Sequence, residues 1–128
     1  MARILIVEDD ASVRAFTARA IAAGGHSVET AEDGDLGLAS IREAGGGYDL
    51  VLSDIRMPAM DGIEMAKQAA SEYPGLRILL MTGYADQRER AADLARIVID
   101  VLAKPFSLAE LRSVVAMALR ASPVQGMA

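Results

Sequence analysis

Apolar and polar positions along this chain follow two alternating periods. Five short apolar runs (Arg3 to Val7, Val28 to Ala31, Leu50 to Ser53, Ile78 to Met81 and Ile99 to Leu102) alternate with five segments of helical spacing. That alternation predicts βαβ units wound around a parallel sheet, an α/β fold. The first run is nearly all aliphatic, as a strand buried on both faces should be. Val28-Glu29-Thr30-Ala31 alternates apolar with polar and predicts an edge strand.

The helical segments carry their own punctuation. The first runs to about Ala23, with Val13, Phe16, Ala20 and Ile21 on one face and Gly24-Gly25 as its stop. The second opens at Asp33-Gly34, turns Leu38 and Ile41 inward and ends before Gly45-Gly46-Gly47. Asp61-Gly62-Ile63-Glu64 reads as an N-cap with an acid three positions on, and Ile63, Ala66 and Ala70 face the sheet. The segment 86–96 is rich in Ala, Arg, Glu and Gln, so a weakly amphipathic helix, the least rigid of the five, is expected there. Ser107-Leu108-Ala109-Glu110 is a capping box, followed by a stripe of Leu108, Leu111, Val115 and Ala118. These elements make one domain over residues 1–120 with a short, frayed tail at 121–128.

Composition narrows the chemistry. A net charge of -5 and the lack of any basic run argue against nucleic-acid binding. The absence of cysteine removes disulfides, thiol catalysis and thiolate metal sites. No apolar run approaches the roughly 18 residues of a membrane span, and the start turns acidic at Glu8, too soon for a signal peptide. A cytoplasmic protein without a membrane or nucleic-acid partner is expected. His26, in a Gly-His-Ser connection, reads as a surface residue, and the seven methionines read as core filler.

Four of the five runs end in a reactive polar residue: Asp9 and Asp10, then Asp54, Thr82 and Lys104. The carboxyl ends of parallel strands lie on one edge of the sheet, where ligands gather. Asp54 ends the central run, and Pro58 keeps that run from continuing as regular sheet. Three carboxylates so close repel by on the order of 4 kcal/mol per pair at 4 Å and an effective dielectric of 20, so the cluster needs a cation. Hard oxygen donors point to Mg²⁺, with Mn²⁺ as a substitute, held by Asp9, Asp10, Asp54 and the backbone carbonyl of Arg56. Asp54 is then a nucleophile that accepts a phosphoryl group. Lys104 pairs with one phosphoryl oxygen, and the Thr82 hydroxyl donates to another. Asp61 reads as a helix cap rather than a ligand.

The set Glu8-Asp9-Asp10, Asp54 followed by Met57-Pro58 and Asp61-Gly62, Thr82, and Lys104-Pro105-Phe106 resembles a response-regulator receiver domain of the CheY-like superfamily over about residues 2 to 120. The resemblance implies a flavodoxin-like (βα)5 doubly wound sandwich of strand order 2-1-3-4-5. It also implies phosphotransfer from the phosphohistidine of a histidine kinase or histidine phosphotransferase, and a cis peptide between Lys104 and Pro105. It implies a signalling protein rather than an enzyme, one that assists its own phosphorylation and dephosphorylation. The chain is most similar to stand-alone receivers, and the Thr82-Gly83-Tyr84-Ala85 stretch resembles the CpdR type. Such a protein acts by docking to a downstream protein through the segment 86–96, the fifth strand and the last helix. One position departs from the pattern: Val101 stands where receivers commonly carry Tyr or Phe. Tyr84 is either the substitute switch residue or a packing residue against Phe106 or the helix expected over 86–96. Arg56 and Tyr84 are bulky neighbours of the acyl phosphate and predict slow self-dephosphorylation.

The rival reading is a Mg²⁺-dependent phosphatase of the haloacid-dehalogenase type, which also uses an Asp nucleophile, a Thr or Ser and a Lys. That chemistry needs a second Asp two residues after the nucleophile as general acid, and here that residue is Arg56.

Overall fold

In the computed structural model, which describes residues 1–83, 94 and 97–121, the five apolar runs are strands: β1 (Arg3–Val7), β2 (Ser27–Ala31), β3 (Leu50–Asp54), β4 (Ile78–Thr82) and β5 (Asp100–Ala103). Four described helices connect or follow them: α1 (Ala11–Ala23), α2 (Gly34–Glu43), α3 (Gly62–Glu72) and α4 (Leu108–Arg120). All strand pairs are parallel and the order is β2-β1-β3-β4-β5, the order expected. The helix expected over 86–96, and Tyr84 with it, lies outside the described residues apart from Leu94.

Because side chains alternate along a strand, the sheet divides its aliphatic residues between two cores. Leu5, Val7, Val51, Ile78 and Leu80 face α2 and α3, meeting Leu38, Ile41, Ile63, Met65 and Ala66. Ile4, Ile6, Leu50, Leu52, Leu79 and Met81 face α1 and α4, meeting Ala20, Ile21, Leu111, Val115 and Ala118. At roughly 1.5–3 kcal/mol for each fully buried aliphatic side chain, β1, β3 and β4 dominate the core. β2 is one edge of the sheet, with only Ala31 buried. Val101 is half-buried and packs on the α2/α3 side.

Several expectations shift by small amounts. Pairing of β5 begins at Leu79↔Asp100, although Ile99 already donates its N–H to the Ile78 carbonyl at 2.8 Å. Phe16 is 47% exposed, because the face of α1 that meets the sheet is Thr17, Ala20 and Ile21. Leu108 is 39% exposed as the first residue of α4, ahead of the turn that packs. His26 is partly buried rather than a plain surface residue: its Nδ1 accepts the Ala2 N–H at 3.1 Å, tying the connection before β2 to the start of β1. Among the described residues no helix is long and apolar enough to cross a membrane.

Chain direction places the site. β1 leads through α1 to β2 on one side, whereas β2 leads through α2 to β3 on the other side of β1. The two connections part above the carboxyl ends of β1 and β3 and leave a crevice there.

Candidate functional site

β1 ends at Val7 and its pairing with β2 is carried one residue further by the Glu8 N–H, which donates to the Ala31 carbonyl at 3.0 Å. Glu8 is thereby fully buried. Asp10 is the N-cap of α1: its Oδ1 accepts the N–H groups of Ser12 at 2.8 Å and Val13 at 3.0 Å. Asp satisfies orphan amides of a first helical turn and complements the helix dipole there.

Across the crevice, β3 delivers Asp54, a carboxylate only 8% exposed, whose Oδ1 accepts the Ile55 N–H at 3.0 Å. The chain then turns through Pro58-Ala59-Met60, with Ala59 at a φ of 66°, and re-enters α3 at Gly62. An added Cβ at Gly62 would lie 2.1 Å from the Asp54 carbonyl oxygen. Only glycine permits the start of α3 to approach β3 so closely. Asp61 caps α3 through the Glu64 N–H at 2.8 Å, as its sequence context predicts.

β4 and β5 contribute the other two residues. Thr82 ends β4, 1% exposed, and its carbonyl accepts the Lys104 N–H at 2.8 Å. The Lys104–Pro105 peptide is cis, as expected. The Lys104 Nζ lies 2.8 Å from Glu8 Oε1 and 3.3 Å from Asp54 Oδ2, linking the two sides of the crevice. Burial alone would lower the lysine pKa, but the hydrogen bond to Glu8 and the Asp54 charge outweigh it, and the net direction is upward. The Asp9 carboxyl moves upward as well, through desolvation first and then through its hydrogen bond and charge interaction with Glu8. Glu8 contributes to both shifts, raising the lysine as its hydrogen-bond partner and Asp9 as a neighbouring acid.

Carboxylate oxygens of Glu8, Asp9 and Asp54 all lie within 4.8 Å of one another. The structure therefore brings Asp9, Asp54 and Lys104 together as expected, but the third carboxylate is Glu8 and not Asp10. Asp10 lines the same crevice, but its side chain is occupied by the helix cap and is not in that cluster. The signal was present in the sequence: an Asp immediately before a helical segment is an N-cap first, and that leaves the preceding two acids for the site. Arg56 lines the same open crevice of about 910 Å³, along with Phe16, Gly83, Pro105 and Phe106. A residue without a sequence signal is Arg14, whose Nη1 donates to the Glu8 carbonyl at 2.8 Å and the Asp9 carbonyl at 3.5 Å.

A buried carboxylate paired with lysine and facing two further acids can accept an electrophile and can hold a hard cation. Comparison with known proteins identifies the family. Residues 4–116 match the response regulator receiver domain family. The chain is 40% identical over 125 residues to the response regulator MprA of Mycobacterium sp. (strain KMS), covering 97% of this chain and 54% of that protein. It thus spans about half the length of that curated relative. Among solved structures, the Vibrio cholerae chemotaxis protein CheY4 superposes with a TM-score of 0.81 at 30% identity, over 92% of this chain and 98% of that one. TrrA of Thermotoga maritima, solved in complex with Mg²⁺-BeF, gives a TM-score of 0.83 at 30% identity, over 92% and 99%. By its strand order, the residues at its strand ends and these likenesses, the chain belongs to the family of response regulator receiver domains.

Proposed function

We propose that Asp54 is the phosphoacceptor of a two-component or phosphorelay system, loaded from the phosphohistidine of a histidine kinase or histidine phosphotransferase. The observation that carries this reading is the bridge of Lys104 from Glu8 to Asp54, with three carboxylates converging on one crevice. An Asp54 carboxylate oxygen attacks phosphorus in line. The O–P bond forms as the N–P bond to the donor histidine breaks, and the electron pair leaves with the imidazole. Lys104 exchanges its Asp54 contact for a phosphoryl oxygen and keeps Glu8. The Thr82 hydroxyl donates to another phosphoryl oxygen.

The donor set fits a magnesium ion: three carboxylates against one ammonium leave the crevice acidic, and all donors are hard oxygens. Asp9 and Asp54, with the Arg56 carbonyl, would hold it, and Glu8 replaces Asp10 in the acidic set. When bound, Mg²⁺ (or Mn²⁺ in its place) neutralises charge shared between carboxylate and phosphoryl oxygens. The Mg²⁺-BeF complex of TrrA supports this reading.

In this proposal residues 1–120 act as the receiver unit of a cytoplasmic signalling protein that binds a partner protein rather than nucleic acid or membrane. Phosphorylation repositions Thr82 and the surface around β5 and α4 for a downstream protein. Val101 offers no aromatic ring for that step, so the readout passes through the Thr82 loop; the switch role expected of Tyr84 falls outside the described residues. Arg56 at the crevice keeps attacking water from the acyl phosphate, and Arg56→Asn shortens the phosphoryl lifetime. The deciding experiment is incubation with a radiolabelled histidine kinase, with Asp54→Ala as control. Label on the wild-type chain and none on Asp54→Ala is expected; label that persists in Asp54→Ala overturns the assignment.

A further inference from the structure

Glu8 and Asp9 are consecutive residues, and consecutive side chains of an extended chain point to opposite faces. Both carboxylates nevertheless reach within 4.8 Å of Asp54. The backbone must therefore turn sharply between β1 and α1 and be held there. Upstream it is pinned by the Glu8 N–H to Ala31, and downstream by the Asp10 cap. Between those anchors the two peptide carbonyls that follow the acids accept from one nitrogen, Nη1 of Arg14, at 2.8 Å from Glu8 and 3.5 Å from Asp9. Arg14 is fixed in turn as the fourth residue of α1, where its N–H donates to the Asp10 carbonyl at 2.9 Å.

A cation near the amino end of a helix opposes the macrodipole, so its presence there needs a compensating interaction. We propose that Arg14 is a positioning residue of the metal centre: its guanidinium orients the Glu8–Asp9 and Asp9–Asp10 peptides so that both carboxylates converge on one ion. The proposal rests on the Mg²⁺ reading of the crevice given above. It differs in sign from a simple charge effect. If Arg14 acted only as a nearby positive charge, removing it would relieve repulsion and tighten Mg²⁺ binding. If it served stability alone, Mg²⁺ affinity of the folded protein would not change. Orientation of the ligands predicts weaker binding, and outer-shell partners of metal ligands typically account for about 10–100-fold in affinity.

The test is a Mg²⁺ titration of the full chain followed by amide NMR shifts at residues 9, 10 and 55, with urea unfolding measured in parallel to give the folded fraction. Arg14→Met is expected to bind Mg²⁺ about 10-fold more weakly per folded molecule. Arg14→Lys, which keeps charge and a donor on a flexible stem, recovers part of that loss. Where Arg14→Met does not fold, Arg14→Gln replaces it with the same expectation of a several-fold loss. Equal or tighter Mg²⁺ binding in the folded neutral variant overturns the positioning role. A wild-type chain with no saturable Mg²⁺ response overturns the metal centre itself, and is told apart because the failure then precedes any substitution.

Discussion

The tightest constraint on β3, which carries the proposed phosphoacceptor, is a glycine that touches its backbone. Replacing Gly62 with alanine would place a methyl carbon 2.1 Å from the Asp54 carbonyl oxygen and 3.0 Å from the Ile55 Cα. The neighbours are main chain on both counts, so no rotamer change can make room. A carbon and a carbonyl oxygen ordinarily approach to about 3.3 Å, which requires the start of α3 and the end of β3 to part by roughly 1.2 Å. That movement stretches the 2.7 Å hydrogen bond from the Gly62 N–H to the Ile55 carbonyl. Overpacking of this kind costs roughly 1–3 kcal/mol and a weakened hydrogen bond about 1 kcal/mol. The lower chain entropy of alanine offsets about 0.4–1 kcal/mol. The net is a destabilisation of about 2 kcal/mol. With an unfolding entropy of about 2.1 cal/mol/K per residue over 128 residues, the melting temperature falls by about 7 °C. Asp54 shares the displaced peptide, and misplacement of reacting groups by about 1 Å can reduce rates on the order of 100-fold. Thermal unfolding by circular dichroism, paired with the rate of phosphoryl acceptance, measures both. A Gly62→Ala chain that melts within about 1 °C of wild type and accepts phosphoryl at the wild-type rate would refute this reasoning.

Ala59 sits at a φ of 66°, in the left-handed region that costs a residue with a Cβ roughly 1–2 kcal/mol. Ala59→Gly should therefore stabilise by roughly 0.5–1 kcal/mol after the extra unfolded-state entropy is counted, read as a higher urea midpoint at unchanged slope. Asp10→Ala should cost about 1 kcal/mol through its lost cap and leave Mg²⁺ affinity within about twofold. Asp9→Ala should do the reverse, with little change in urea stability and Mg²⁺ binding lowered by more than about 10-fold. Tyr48, desolvated and donating to Glu29 Oε1 at 2.9 Å, has its pKa pushed up to about 12. Between the ordinary tyrosine pKa of about 10 and that value the unfolded phenol ionises while the folded one keeps its proton, so stability declines as pH rises. Absorbance titration should show this late phenol, and Glu29→Gln should move it earlier.

The fold was readable because its strands are aliphatic runs buried on both faces, and such runs have few other stable homes. Leu50, Leu52 and Val51 are completely buried in β3, the Ser107 capping box and the Asp61 cap fell where their helices start, and Gly24 where α1 ends. Legibility failed where two local rules compete for one residue. Three acids in a row after β1 could serve metal or cap, and only the helix amides decide that Asp10 caps. Phe16 satisfies helical spacing as well as Thr17 does, and a 3.6-residue period cannot choose between adjacent faces of α1. Arg14 had no signal at all, because its partners are carbonyls, which leave no mark in residue identity.

The three carboxylates of the crevice are not equivalent, and their burial separates their roles. Glu8 is completely buried, which a lone carboxylate could not sustain; Lys104 at 2.8 Å makes that burial possible. Asp9 is exposed and its proton is held more tightly than usual by desolvation and by Glu8, while Lys104 counteracts only weakly. Asp54 stands between, 3.3 Å from the same lysine. On the phosphoacceptor reading proposed above, an acyl phosphate at Asp54 would give up the carboxylate charge, the phosphoryl oxygens would replace it, and Lys104 could follow that charge without releasing Glu8. On that reading Glu8 would be the fixed anchor of the lysine, Asp9 the exposed carboxylate open to a cation, and Asp54 the one group whose charge moves. Removing Glu8 would take away the shorter of the two Lys104 contacts and strengthen the one to Asp54 at the expense of nucleophilicity, so on that reading Glu8 is the acid that would keep the acceptor free to react.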